Sequence, residues 1–228
     1  MNWLGFRCVL CHAPLAIATH GLCCRCYKSL ARFTYCGHCG METTRPTLHC
    51  GYCLQQEPSW DRMVIIARYL PPLSQLIHQF KFHHSFFLDR TLARLLLLAI
   101  YDAKRHYGLP LPEVLIPVPL HHVRQWQRGY NQADLLAQQL AHWLKLPVES
   151  QWVVRVKRTH TQRGLSAKER RVNLRQAFRL AHGAESRHYK SVALIDDVIT
   201  TGSTLNEIAK LLRTAGVEHI QVWGLARC

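Results

Sequence analysis

The chain of 228 residues has no long apolar run: its most apolar stretch, Leu92 to Ile100, is about half a membrane span and contains Arg94. A membrane-spanning helix is not expected. The first eleven residues, Met1 to Cys11, lack a basic segment followed by an apolar core, so no export signal is read and a cytoplasmic protein is expected. There is no low-complexity segment and no Ser/His/Asp or Cys/His constellation that would demand a covalent nucleophile. Acidic residues are scarce, 14 Asp and Glu against 29 Lys and Arg, for a formal net charge of +15. That excess favours polyanionic partners, either nucleic acid or phosphate-rich small molecules. Its distribution is uneven: residues 155–190 hold 11 Lys and Arg against Glu169 and Glu185.

Cysteine is plentiful, and nine of the ten fall before residue 54. Eight form four Cys-x-x-Cys pairs, Cys8/Cys11, Cys23/Cys26, Cys36/Cys39 and Cys50/Cys53. Two thiolates two residues apart grip one face of a tetrahedral ion at a tight turn, and a second pair closes the site. Gly37, Gly40 and Gly51 supply permissive backbone. A disulfide framework would need an oxidising compartment, and a redox motif would need one pair, not four. The pattern therefore predicts two structural Zn²⁺ sites. Consecutive pairing gives spacers of 11 and 10 residues, as in a double zinc ribbon, and interleaved pairing stays open. Cys24 is read as a bystander, and His12, His38, His49 and His78 as packing or surface residues.

The composition shifts near Glu57 to Asp61, which divides the chain into residues 1–57 and 58–228. Beyond it, strand patterns at Met63–Tyr69, Val114–Val118, Trp152–Val156, Val192–Ile195 and Ile220–Leu225 alternate with helical patterns at Leu88–Ala103, Asn131–Leu144, Ser166–Phe178 and Ser203–Ala215. Ser166-Ala-Lys-Glu169 reads as a capping box. Such alternation predicts an α/β fold with a largely parallel sheet covered by helices.

The sharpest chemistry lies in Val192-Ala-Leu-Ile-Asp196-Asp197-Val-Ile-Thr200-Thr201-Gly202-Ser203-Thr204. A buried strand runs into two carboxylates, then into a glycine- and hydroxyl-rich turn that opens a helix. The N–H groups of a helix start suit a phosphate, and Gly202 permits close backbone approach. Asp196 and Asp197 at the strand's carboxyl end can accept hydrogen bonds from vicinal ribose hydroxyls.

This string resembles the signature with which type I phosphoribosyltransferases hold the ribose and 5′-phosphate of phosphoribosyl pyrophosphate. Pro117-Val-Pro119-Leu120, Arg124, Arg128-Gly-Tyr-Asn-Gln132, Arg158-Thr-x-Thr161-Gln-Arg163, Arg170-Arg171-x-Asn173 and the Asp-Asp string follow the order of the ComF/GntX family. With the cysteine pairs in front, the resemblance covers nearly the whole chain, and it is strongest to enterobacterial members tied to use of external DNA. The resemblance implies a type I phosphoribosyltransferase-like parallel sheet with helices on both faces, preceded by a double zinc ribbon. It implies a role in uptake or use of extracellular DNA, with phosphoribosyl pyrophosphate and Mg²⁺ as ligand and single-stranded DNA and DNA-processing proteins as partners. Ligand residues would be Asp196, Asp197, Thr200, Thr201, Gly202, Ser203 and Thr204. The Val118-Pro119 stretch is similar to the family's pyrophosphate loop. It departs from the common form, because prolines bring no N–H donors, so Arg124, Arg128, Arg158 and Arg163 are expected to supply the charge. Trp126, Tyr130 and Trp152 suggest aromatic surface among the basic groups, and Arg25, Lys28 and Arg32 a second basic surface on the zinc ribbons. Two alternatives stand: a nucleobase salvage transferase, and a non-catalytic single-stranded DNA-binding adaptor.

Overall fold

The computed structural model describes residues 6–82, 88–120, 129–156, 177–182 and 187–228. The apolar runs after residue 60 become strands β1 (Arg62–Arg68), β2 (Val114–Pro117), β5 (Ser191–Ile199) and β6 (His219–Arg227), paired in parallel in the order β1-β6-β5-β2. β1 buries Met63 to Ala67 without alternation, and β2 is buried along its length. Continuous burial is what a parallel sheet covered on both faces requires.

Helices α3 (Leu73–Phe82), α4 (Leu88–Tyr107) and α5 (Gln132–Leu144) contribute to one core with Val64, Ala193, Ile195 and Trp223. Helix α6 (Ser203–Thr214) meets the other, with Ile65, Val192, Leu194 and Val222. Each helix carries an apolar stripe at helical spacing: Leu92, Leu95, Leu96 and Ile100 on α4, and Leu205, Ile208, Ala209 and Leu212 on α6. Asn131 caps α5 by accepting from the N–H of Ala133 at 3.1 Å. The basic Lys104, Arg105 and His106 in the last turn of α4 suit its negative pole.

Three expectations need correction. A short antiparallel hairpin, β3 (Val153–Arg155) with β4 (Phe178–Leu180), stands apart from the main sheet, and Phe178 pairs with Arg155 where a helix was expected to end. Trp152 is fully buried beneath this hairpin, edge-on to Tyr189, so it offers no exposed surface to a base. Helix α3 was not anticipated, although Leu73, Leu76, Ile77 and Phe80 carry its period. The rest of the expected Ser166–Phe178 helix, with its capping box, lies outside the described residues. No helix among the described residues is long and apolar enough to cross a membrane.

Both edges of the main sheet are covered. Beside β2, the N–H of Leu115 bonds to Pro147 O at 3.0 Å and that of Glu149 to Leu115 O at 2.9 Å. Beside β1 runs the cysteine-rich chain. The N–H of Met63 bonds to Gly37 O at 2.7 Å and that of Arg68 to Ala31 O at 2.9 Å. Between them, the Tyr35 hydroxyl accepts from the N–H of Ile65 at 3.1 Å and donates to Ile65 O at 3.3 Å. An uncovered edge strand would present these groups to other chains. Removing that hydroxyl in Tyr35→Phe leaves the Ile65 N–H without its acceptor, a loss of about 1–3 kcal/mol. Urea denaturation of the metal-loaded chain should register it; an unchanged midpoint would mean that the edge does not rely on this tyrosine.

Candidate ligand site and metal centres

The eight paired cysteines segregate consecutively into Cys8, Cys11, Cys23, Cys26 and Cys36, Cys39, Cys50, Cys53, with the four Sγ atoms of each set within 4.8 Å of one another. This settles the pairing that spacing left open. Each set repeats one construction. Its first pair sits on a tight turn, closed by His12 N–H to Cys8 O at 2.9 Å and by Gly40 N–H to Cys36 O at 2.8 Å. Both turns exit through a left-handed residue, His12 at φ 57° and Gly40 at φ 72°. The second pair sits at the start of a short helix, α1 (Cys24–Lys28) or α2 (Gly51–Gln55). Cys24 is exposed and outside both sets, as expected of a bystander.

The sulfur spacing suits a tetrahedral ion. Zn–S bonds of about 2.3 Å imply tetrahedral edges of about 3.8 Å, and the Sγ separations are 3.7 Å for Cys11–Cys23 and Cys36–Cys53, 3.5 Å for Cys39–Cys50 and 3.8 Å for Cys50–Cys53. All ten cysteines are free thiols. Their electrostatics favour deprotonation at chosen members. Burial opposes charge at Cys8, but backbone N–H groups of Cys11, Cys23 and Leu10 outweigh it and bring the thiol down to about 6. At Cys50 burial is likewise outweighed, by donors at Cys53 and Cys39, and the thiol falls to about 7. Burial and neighbouring thiols push Cys26 and Cys39 up. Four sulfurs at this spacing cannot all ionise without a cation among them.

The second site lies at the carboxyl ends of the strands. β2 stops at Pro117, opposite Ile195, while β6 stays paired with β5 through Ile199. β5 therefore overhangs β2 by four residues, Asp196 to Ile199. The two aspartates lie within the strand, not just beyond it as expected, and successive strand residues face opposite sides of the sheet. Asp197 meets Lys81 of α3, Nζ to Oδ1 2.9 Å, with both side chains under a fifth exposed. Asp196 shares its parity with Val192 and Leu194 of the α6-side core and accepts from the Asp197 N–H at 2.8 Å. Burial, and then the charge of Asp197, push the Asp196 carboxyl up to about 7, against the opposing pull of Lys81 and Arg155.

The chain leaves β5 through exposed Thr200 and Thr201 and turns at Gly202 into α6. Gly202, at φ 73°, occupies the N-cap position and brings no capping side chain. The first N–H groups of α6 are thus left without intrahelical partners; among the described residues Ser203 N–H meets Thr201 Oγ1 at a long 3.4 Å. A Cβ at Gly202 would also lie 2.8 Å from Cη2 of Trp60. Across the crevice, Asn131 Nδ2 donates to Val118 O at 3.1 Å, and the Tyr130 hydroxyl donates to Phe80 O at the end of α3. The carboxylates and the turn, Asp196, Asp197 and Thr200 to Thr204, thus fall at one end of the sheet. Lys81 and Arg155 join them without having been singled out as site residues. Arg124, Arg128, Arg158 and Arg163 lie outside the described residues.

A family model, "Phosphoribosyl transferase domain", matches residues 127–226, which include the overhang and its turn. The chain is 63% identical over 227 residues to "Competence protein F" of Haemophilus influenzae, covering 100% of this chain and 99% of that one. The chain belongs to the ComF/GntX family. Relatives in that family include "DNA utilization protein YhgH" of Escherichia coli K12, 46% identical over 221 residues and 96% of each chain. "Competence protein ComFC" of Streptococcus pneumoniae is 26% identical over 165 residues, 71% of this chain and 66% of its own. The chain brings together both the paired cysteines, in two tetrads, and the Asp-Asp turn at one end of the sheet.

The tetrads generate a direct measurement. Protein purified without chelator should carry two equivalents of metal by elemental analysis, and Cys50→Ser should carry one. Structural thiolate sites contribute roughly 10–16 kcal/mol of apparent binding energy in zinc-finger peptides, so substoichiometric metal after ordinary purification would count against both sites.

Proposed function

We propose that this ComF/GntX-family chain binds phosphoribosyl pyrophosphate at the β5 overhang and acts in the cytoplasm in the uptake or use of extracellular DNA. In this reading residues 1–57 form a double zinc ribbon and residues 58–228 the ligand-binding domain. The observation that carries it is the juxtaposition of two carboxylates with a glycine-capped helix start. Asp196 and Asp197 would accept hydrogen bonds from the ribose hydroxyls. The N–H groups of Gly202 to Thr204, with the hydroxyls of Thr200, Thr201, Ser203 and Thr204, would take the 5′-phosphate. Lys81, 2.9 Å from Asp197 Oδ1, would orient that carboxylate before the ribose arrives. Its ammonium would also offer countercharge to departing or bound phosphate, a role that Arg124, Arg128, Arg158 and Arg163 would share. Mg²⁺ accompanying the ligand would neutralise pyrophosphate oxygens. The DNA role rests on what the relatives' names say of those relatives.

Calorimetry with phosphoribosyl pyrophosphate and Mg²⁺ tests the site. Asp197→Asn should weaken binding by about tenfold, since a charge-assisted acceptor becomes a neutral one. The pH dependence has a definite sign. Below about 7 the Asp196 carboxyl keeps its proton and accepts poorly; above that it is an anion, so affinity should rise between pH 6 and 8. Ligand phosphates titrate in the same range, so the informative quantity is the difference from Asp196→Asn, whose profile should be flatter. Unchanged affinity in both variants would reject the ribose role.

A groove supports the reading of single-stranded DNA as a direct partner. Between the cysteine-rich chain and the last turns of α4 lies a cavity of about 770 Å³, lined by Tyr27, Tyr101, Tyr107, Arg32, Lys104 and Arg105 among others. Tyr101 and Tyr107 are nearly half exposed, and the Arg32 guanidinium lies 4.3 Å from the centre of the Tyr27 ring. Exposed rings among basic groups hold single strands by base stacking and counterion release. Tyr101→Ala or Tyr107→Ala should weaken binding of a labelled oligothymidine about tenfold, and Arg32→Ala should flatten the salt dependence, both read by fluorescence anisotropy. Affinity indifferent to these changes but sensitive to Arg155→Ala would move the strand to the basic segment at residues 155–175.

A further inference from the structure

Trp60 stands between one metal tetrad and the phosphate turn. Its indole is almost fully buried, 4% exposed, with Cη2 against the space above Gly202. The same residue exchanges two hydrogen bonds with His38, the residue before the ligand Cys39. Trp60 Nε1 donates to His38 O at 2.7 Å, and His38 Nε2 meets Trp60 O at 2.6 Å. Because a carbonyl can only accept, His38 must carry its proton on Nε2. The other ring nitrogen, Nδ1, lies 3.0 Å from Nδ1 of His49, which precedes the ligand Cys50. The second tetrad is therefore flanked on both arms by histidines in mutual contact, one of which, His38, holds Trp60.

The far side of this contact is equally fixed. Ser59 N–H donates to Asn206 Oδ1 at 2.8 Å, and the Asn206 N–H donates to Gly202 O at 2.8 Å, closing the first turn of α6. Asp61 accepts from Arg213 near the end of that helix at 2.7 Å and from the Ile220 N–H at 2.7 Å. Residues 59–61 thus clamp α6 at both ends while Trp60 floors its N-terminal turn. Among the described residues the first tetrad has no comparable path: Cys8 and its neighbours Leu15, Leu22 and Leu30 pack into the opposite core, with α3 and α4.

We infer that Trp60 is a positioning residue through which a metal in the second tetrad, and not the first, sets the geometry of the phosphate-binding turn. The inference rests on the ligand reading above. It predicts an asymmetry between two sites of identical chemistry. Order at Cys36, Cys39, Cys50 and Cys53 fixes His38, His38 fixes the indole, and the indole limits where Gly202 and the following N–H groups can lie.

The test uses the full chain loaded with metal, with Cys11→Ser, Cys50→Ser and Trp60→Phe as variants. Phenylalanine keeps an aromatic floor but loses the N–H to His38, the equivalent of one neutral hydrogen bond. Trp60→Phe and Cys50→Ser should each raise the Kd for phosphoribosyl pyrophosphate roughly fivefold or more. Binding of magnesium pyrophosphate, which has no 5′-phosphate, should stay at the wild-type value in Trp60→Phe. Hydrogen exchange should speed up at the amides of Ser203 to Asn206 in both variants, while amides of Leu95 and Leu96 in α4 keep their protection. Cys11→Ser should lose one equivalent of metal and leave ligand affinity and α6 exchange unchanged. Equal effects of Cys11→Ser and Cys50→Ser, or unaltered exchange at Ser203 to Asn206 in Trp60→Phe, would overturn the inference. If the wild type binds no phosphoribosyl pyrophosphate the ligand reading fails, and the exchange experiment still decides the coupling.

Discussion

The open edge of β1 is the constraint around which the molecule is arranged. A parallel sheet ends in strands whose outer N–H and C=O groups must find partners. At β2 a turn of ordinary chain suffices. At β1 the partners are Gly37 O, Ala31 O and the Tyr35 hydroxyl, all in a segment too poor in regular structure to hold its own shape. Residues 6–57 contribute only short helices and isolated bridges. Segments of this kind acquire a fixed shape from cross-links, and thiolate-bound metal is the cross-link that these free cysteines offer. Sheet and cysteine-rich chain thus depend on each other: the sheet supplies the surface, and metal-loaded tetrads would supply the rigidity with which that surface is covered.

The crevice at the carboxyl ends of the strands follows from a second mismatch, between the lengths of β2 and β5. Pro117 ends β2 one residue short of Asp196, whereas β6 supports β5 to Ile199. The aspartates are consequently held by backbone pairing on one side only, and open on the other. Holding two adjacent carboxylates half-buried is unfavourable unless cations attend them. Lys81 comes from the α3 face and the Arg155 charge from the hairpin face. At Asp196 burial and the charge of Asp197 outweigh the pull of these cations and hold the carboxyl above its ordinary range. A site left in that state has an unmet electrostatic demand, which hydroxyl donors or a divalent cation carried by a ligand can fill.

Much of this could be read from residue order, because strand, carboxylates, glycine and helix start are contiguous and each obeys a local rule. The same is true of the cysteine pairs, though not of their partnership: spacers of 11 and 10 residues permit either arrangement, and only packing selects one. The features that escaped are nonlocal. Lys81 belongs to a helix whose stripe of Leu73, Leu76, Ile77 and Phe80 was visible, but its meeting with Asp197 spans more than a hundred residues. Trp152 lies beside a basic segment in sequence, yet the β3–β4 hairpin turns it inward. Periodicity also cannot tell a strand of the main sheet from one in a hairpin, since both bury apolar side chains.

Trp60 shows why that nonlocal layer matters for function. By composition it is one aromatic residue at a boundary, in a stretch that reads as linker. In the fold it is a buried ring with three simultaneous neighbours: a histidine beside one cysteine tetrad, the glycine that opens α6, and the strand that it precedes. Gly202 answers to it twice, needing a left-handed backbone to end β5 and the absence of a Cβ to admit the indole. One glycine thereby joins a requirement of the ligand site to one of the cysteine-rich chain. A cysteine-rich segment joined by a flexible linker would have no reason to meet either requirement; one built into the sheet edge has to meet both.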